Sequence, residues 1–219
     1  MKQFDTHFIL RFFLFVLISG LAQSCNETTK AQPPSPSVRP VALSYHDSLA
    51  LLFKEHTGYI AQGFDFPVGK PNGKGYYNAQ PFGKNNHLGD DWNGTGGGNS
   101  DKGDPIFSIA NGYVSQSINF YGGWGKVVRI VHAIPQGDSL ELVESLYAHM
   151  DAMQVKKGQW IHKGDTIGTI GTAEGIYLAH LHLEVREQPA MYLGGGYSEQ
   201  TQGYLDPTKF IRAHRKINQ

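Results

Sequence analysis

Tyr177-Leu178-Ala179-His180-Leu181-His182-Leu183-Glu184-Val185-Arg186-Glu187 alternates with the period of a β-strand. His180, His182, Glu184 and Arg186 fall on one face; Leu181, Leu183 and Val185 fall on the other. Two histidines at i and i+2 then stand with their Cα atoms about 6.5 Å apart. That is too far for direct contact. It suits one ring gripping a metal while its neighbour reaches a substrate or a water beside it.

The flanking sequence fits a β domain. Short apolar stretches are set off by Gly, Asn, Asp and Pro from Phe64 onward, and Gly is abundant at 27 of 219 residues. Ile106–Ala110, Lys126–Val131, Leu140–Tyr147 and Thr166–Ile170 read as strands, with turns at Asn111-Gly112 and Tyr121-Gly122-Gly123. No long helix separates them. An all-β, mainly antiparallel domain over 64–212 is expected, with a tail at 213–219. A short helix leads into it within 44–63. Ser44 is placed to cap that helix, Asp47 completes a capping box, and Gly58 follows its end.

Composition narrows the function. Charged residues are 17% and formal net charge is zero, so nothing points to nucleic acid. The one cysteine, Cys25, excludes an internal disulfide and a cysteine zinc site. Before it, a basic start with Lys2 and Arg11 and the apolar run Phe12–Leu21 have the form of a secretory signal peptide over 1–24. Leu21-Ala22-Gln23-Ser24-Cys25 resembles a bacterial lipobox, with Gln23 where a small residue is usual. Cys25 then becomes a lipid anchor, and the protein is exported to the cell envelope. An ordinary signal peptide cut near Ser24 is the other reading. The polar, proline-rich stretch 25–43 reads as a tether.

With cysteine excluded, metal chemistry falls to histidine and carboxylate. His87-Leu88-Gly89-Asp90-Asp91 has ligand spacing only if the chain bends, because four extended residues span about 13 Å. Gly89 permits the bend without a Cβ. His87, Asp91 and one of the strand histidines would form a His2Asp set, and three protein ligands with one open position is the pattern of a catalytic zinc site. His149 can end the strand before it and face a cleft. Two glycine-rich segments, 93–103 and 193–203, read either as walls of a binding site or as surface insertions.

Further motifs stand in one order along about residues 80–187. They are Asp104-Pro105-Ile106-Phe107-Ser108-Ile109-Ala110-Asn111-Gly112-Tyr113-Val114, Tyr121-Gly122-Gly123-Trp124-Gly125-Lys126-Val127-Val128, Tyr147-Ala148-His149-Met150, the turns at Val155–Gln159 and Lys163–Gly168, and His180-Leu181-His182-Leu183-Glu184. With His87-x-Gly89-x-Asp91, this series resembles the lysostaphin/LytM-type zinc metallopeptidases, secreted bacterial enzymes that cut peptidoglycan peptides. The resemblance implies the LytM (duplicated-hybrid-motif) β fold, a Zn2+ cofactor, and His87, Asp91 and His182 as its ligands. It makes His149 and His180 the catalytic pair beside the water that the metal activates, and peptidoglycan peptides the substrate. With an envelope lipoprotein in view, the narrower expectation is a D,D-endopeptidase.

Two other resemblances compete with it. A non-catalytic member of the same fold, activating a cell-wall amidase, would be expected to have lost metal ligands; all five positions are filled here. Val155 to Gly168 is also similar to the hairpin of biotinyl and lipoyl carriers, but Lys156 and Lys157 lack the flanking such a lysine needs. The segment 92–104 is longer than the simplest family pattern. A tyrosine that assists the reaction in some relatives has no aligned match, which leaves Tyr76, Tyr77 and Tyr121 unassigned. Glu184 could orient a ligand or serve structure alone. His46, His56, His132, His162 and His214 match no motif and read as surface or partly buried residues.

Overall fold

The computed structural model describes residues 43–217. Cys25, the apolar run before it and the polar stretch up to residue 42 lie outside that range. No described helix is long and apolar enough to cross a membrane.

Helix α1 (Tyr45–Glu55) comes first, then ten strands: β1 (Tyr76–Gln80), β2 (Asp90–Gly94), β3 (Pro105–Phe107), β4 (Gly112–Asn119), β5 (Lys126–Gln136), β6 (Ser139–Met153), β7 (Trp160–Ile161), β8 (Thr166–Ile170), β9 (Leu181–Arg186) and β10 (Tyr204–Leu205). Helix α2 (Pro207–Ala213) follows. The sheet runs β1-β2-β9-β6-β5-β4-β7, with β10 added to β9 and β8 bonded to both β3 and β6. Every described pairing is antiparallel. The expected all-β antiparallel architecture with a short leading helix is what the chain adopts.

β9 sits inside the sheet, hydrogen-bonded to β2 on one side and β6 on the other. Its apolar side chains, Leu181, Leu183 and Val185, are fully buried in a core shared with Ile130, Tyr147, Ile170, Phe210 and Ile211. Burying each such side chain is worth about 1.5–3 kcal/mol. The polar face is buried as well: His182 is 3% exposed, and Glu184 and Arg186 are 0%. The alternation therefore separates a core face from a site face. It does not separate core from solvent.

Helix α1 is capped as its sequence implies, Ser44 Oγ accepting from Asp47 N at 3.0 Å. It sets Leu49 and Phe53 against Val131, Ala133 and Leu142, and Phe53 meets Trp160 edge-on at 5.1 Å. At the other end Asp206 caps α2 through Lys209 N, and Phe210 and Ile211 enter the core. Residues beyond α2 differ from the expected tail. Arg215 pairs with Asp65, and Ile217 N donates to Gln62 O at 3.2 Å, so 214–217 lie against the domain. His132 differs too: it is fully buried, not at the surface. It lies on β5, where a hydrogen bond to Asn111 O at 2.8 Å and one to Ser145 Oγ at 2.7 Å satisfy both ring nitrogens.

Candidate metal centre

Strand register assembles the first two members of the site. Asp91 on β2 is the direct partner of His182 on β9. Opposite residues of an antiparallel pair project on the same side with Cβ atoms about 5 Å apart, so carboxylate and imidazole meet. On the far side of β9, His182 pairs with Ala148 of β6. A methyl group there leaves the ring its room.

His87 arrives by a tight approach. Asn85 (φ 54°) and Asn86 (φ 63°) turn the chain left-handed just before it. The segment then crosses β9 so closely that a Cβ on Gly89 would sit 2.4 Å from Leu183 O and 2.9 Å from His182 Cε1. Gly89 is thus needed for space, where the sequence had suggested a need to bend; its φ is not in the left-handed region.

The three residues close into a triangle. His182 Nδ1 is 3.0 Å from Asp91 Oδ1 and 3.0 Å from His87 Nε2, and His87 Nε2 is 3.3 Å from Asp91 Oδ1. Two ligands about 2.0–2.1 Å from one ion at a tetrahedral angle lie about 3.3 Å apart, so these separations fit a zinc-sized site. The opposite ring nitrogens fix the tautomers. His87 Nδ1 donates to Gln80 O at 3.0 Å, and His182 Nε2 donates to a Glu184 carboxylate oxygen at 3.2 Å. The inward nitrogens of the neutral rings therefore carry lone pairs, and all three converging atoms are donors of electrons. Such a buried set calls for a cation at its centre. Such partners on the far ring nitrogens are what metal-ligating histidines usually have.

The same logic shows in the acidities. Burial pushes the Asp91 carboxyl up, but hydrogen bonds from His182 and His87 outweigh it and hold the carboxyl well below its usual range. Burial pushes His182 down, but Asp91 and Glu184 together raise it to about 9. Without a metal, a proton fills the centre.

His149 and His180 stand beside the triangle. Gly171 forms the bridge that places His180, and a Cβ on it would meet Asp151 N at 2.4 Å. His180 Nδ1 donates to Leu178 O at 2.8 Å, which leaves Nε2 unprotonated and 3.8 Å from Asp91 Oδ1. His149 follows Ala148 on β6 and in a regular strand would face away from His182. Its backbone instead takes φ 60°, a left-handed value rare for any residue with a Cβ. Its ring comes to 4.7 Å from that of His180 and 5.5 Å from that of His182, centre to centre. Burial, then the neighbouring His182 and His180, push His149 down to about 2, so it is neutral at ordinary pH.

A cavity of about 280 Å³ opens over these groups. Gln80, Trp124, Tyr177 and Tyr197 wall it, and Gly123, Gly195 and Gly196 complete the lining. Gln80, Trp124 and Tyr177 were not expected as site residues, since they come from the end of β1 and two separate loops and share no local pattern. The segment 193–203 supplies part of the wall. The segment 93–103 does not line the cavity; Asn93 Nδ2 and Asn99 Oδ1 instead hold the backbone of Ala179, just before His180. Tyr76 is engaged elsewhere, donating to Asp104 at 2.5 Å.

Fold and cluster together define an antiparallel β domain built around a candidate His2Asp metal centre. Comparison with known proteins places it more narrowly. The family model of peptidase family M23 matches residues 91–193. The chain is 36% identical over 85 residues to lipoprotein NlpD of Yersinia enterocolitica, an alignment that takes in 39% of this chain and 79% of that protein. The chain belongs to peptidase family M23. It is also 29% identical over 90 residues to the cell division protein DipM of Caulobacter vibrioides, covering 41% of this chain but 14% of DipM. Among solved structures, the SpoIIIAH–SpoIIQ complex contains a chain similar in fold, with a TM-score of 0.51 and 15% identity over 68% of this chain and 100% of that one.

Proposed function

We propose that the protein is a zinc-dependent endopeptidase that hydrolyses peptide cross-links or stem peptides of bacterial peptidoglycan. The triangle of His87 Nε2, Asp91 Oδ1 and His182 Nδ1, all lone-pair donors at 3.0–3.3 Å, carries this reading. Membership of family M23 supports it.

His87, Asp91 and His182 would hold the ion. Zinc bound there supplies a Lewis acid that polarises a carbonyl and acidifies water. The rest is done by the chain. Gln80 O and Glu184 keep both ligand rings in the tautomer that offers a lone pair inward. His180, pinned through Nδ1, turns Nε2 toward the cluster and serves as proton acceptor for the attacking water. Once protonated, it donates to the leaving amine. His149 lies at 4.7 Å as a second imidazole, kept neutral by its burial, that can donate a hydrogen bond to the scissile carbonyl oxygen. The uncharged walls of Trp124, Tyr177 and Tyr197 suit an extended peptide and shed water around the scissile bond. On the sequence reading, Cys25 anchors the exported protein to an envelope membrane, which would place this site at the cell wall. A relative named as a lipoprotein supports that part.

The test joins metal analysis to cell-wall digestion. The purified protein should carry one zinc and release split cross-linked muropeptides, seen by mass spectrometry. Asp91→Ala and His182→Ala should lose both. A variant lacking either ligand that still digests sacculi, or release of glycan sugars in place of split cross-links, overturns the reading. A wild-type protein that holds no zinc and only accelerates a separate amidase would make it a regulator.

A further inference from the structure

The polar face of β9 continues past His182 to Glu184 and Arg186, both wholly buried. Glu184 divides its carboxylate between two partners. Oε1 accepts from His182 Nε2 at 3.2 Å. Oε2 accepts from Arg186 Nε at 2.7 Å, and Nη2 lies 2.6 Å from it as an ion pair. The other guanidinium hydrogens leave the strand. Nη1 donates to Tyr192 O at 3.0 Å and Met191 O at 3.4 Å, and Nη2 donates to Leu193 O at 2.8 Å. Four hydrogen bonds and the ion pair with Glu184 thus engage the whole guanidinium. The chain runs on from Leu193 into Gly195, Gly196 and Tyr197 of the cavity wall. There Gly196 O accepts from Leu88 N at 2.9 Å, next to His87.

We infer that Arg186 is a positioning residue that joins the metal cluster to the substrate wall, so that metal held by His182 and order in residues 190–197 support each other. Neutralising Glu184 would need only the ion pair and the Nε hydrogen bond. The other three hydrogen bonds reach carbonyls of one loop, which charge balance does not require. Other side chains grip the same loop: Glu144 takes Ala190 N at 3.3 Å, Arg129 takes Met191 O at 3.0 Å, and Trp124 Nε1 takes Gly194 O at 3.0 Å. Of these grips, that of Arg186 alone continues by hydrogen bonds to a cluster residue. Lysine cannot replace it, because a single ammonium lacks the planar fork. The coupling is reciprocal by linkage: what orders the wall tightens the metal, and metal orders the wall.

This inference rests on the proposed metal site, and its first readouts need no hydrolysis. Zinc affinity of the full chain is measured by chelator competition, and amide exchange across 190–197 is followed with and without zinc. In the wild type, zinc should slow that exchange. In Arg186→Lys, zinc affinity should fall by about 10–100-fold, zinc should no longer slow exchange, and KM for a cross-linked muropeptide should rise more than kcat falls. The double variant Glu184→Gln, Arg186→Met removes both charges yet leaves His182 an acceptor. Its zinc affinity should stay about tenfold or more below wild type, because the ordered wall is gone, while 190–197 exchanges fast with or without metal. It also carries the test if Arg186→Lys does not fold. Wild-type zinc affinity and exchange in Arg186→Lys, or a wild-type protected loop in the double variant, overturns the inference. A wild type that binds zinc but cuts nothing counts against the peptidase reading and leaves these two readouts to decide the role of Arg186.

Discussion

Asp91 and His182 illustrate how much one pair of side chains can fix. Their hydrogen bond raises His182 to about 9, so the metal-free cluster carries a proton at neutral pH. Zinc must displace that proton. Apparent zinc affinity should therefore climb about tenfold per pH unit between pH 6 and 8, the slope of one proton released. Competition with a chelator of known pH behaviour measures this, and a flat profile would contradict a proton at the centre. The stability of the metal-free protein runs the other way. A raised histidine contributes fully below the unfolded value near 6.5 and loses its contribution as pH rises through about 9. His149 makes a separate point. At φ 60° it holds a conformation that costs a side chain with a Cβ about 1 kcal/mol. His149→Gly should resist urea better than His149→Ala by about that amount, with hydrolysis lost in both. Equal stabilities would mean that the backbone at 149 is not strained. Nothing in Tyr147-Ala148-His149-Met150 announces this turn. The turn falls where β6 bulges against β5: Val128 pairs with Tyr147 and Lys126 with Met150, which leaves one extra residue on β6.

At the scale of elements, β9 was legible because its two faces differ in chemistry. Leu, Leu and Val alternate with His, Glu and Arg, and a one-residue slip would turn the polar set into the apolar core. The runs that became β5, β6 and β8 were legible as short apolar stretches bounded by turn residues, without that alternation. β2 was not. Asp-Asp-Trp-Asn-Gly is poor in strand-forming residues, and it is a strand because β1 and β9 flank it on both sides. The loop 190–197 was half legible: its glycines marked a special backbone, but its anchors, Arg129, Glu144 and Trp124, are more than 40 positions away in sequence. The β2–β9 crossing also yields a prediction. Gly89→Ala would put a methyl 2.4 Å from Leu183 O, a backbone atom that cannot turn aside. The strands must part, and Asp91 must leave His182. The variant should lose at least about 1–3 kcal/mol of stability and most of its zinc, although no ligand is changed. Wild-type zinc content in folded Gly89→Ala protein would show that the crossing has slack.

Over the whole molecule, two of the sheet's buried polar systems have opposite demands. The cluster on β2 and β9 gathers groups that want a positive charge at their centre. The other system, on β5 and β6, excludes one. There His132 is fully buried between Asn111 O and Ser145 Oγ, and Ser145 Oγ is in turn 3.1 Å from the buried Tyr147 hydroxyl. Burial pushes His132 down to about 4, only partly offset by the Asn111 carbonyl. The unfolded chain binds a proton at this residue near pH 6.5; the folded chain refuses it until about pH 4. The contribution of neutral His132 is therefore fully present above pH 6.5 and lost as pH falls toward 4, by about 2.5 kcal/mol between pH 7 and 4.5. A fold of ordinary stability, about 5–15 kcal/mol, would feel that loss. Urea titrations of the zinc-free protein at the two pH values measure it. His132→Gln keeps a polar side chain that does not titrate. It should start less stable at pH 7 yet lose about 2.5 kcal/mol less on acidification. If wild type and variant lose stability in parallel, the acid sensitivity of the fold has its source elsewhere than β5.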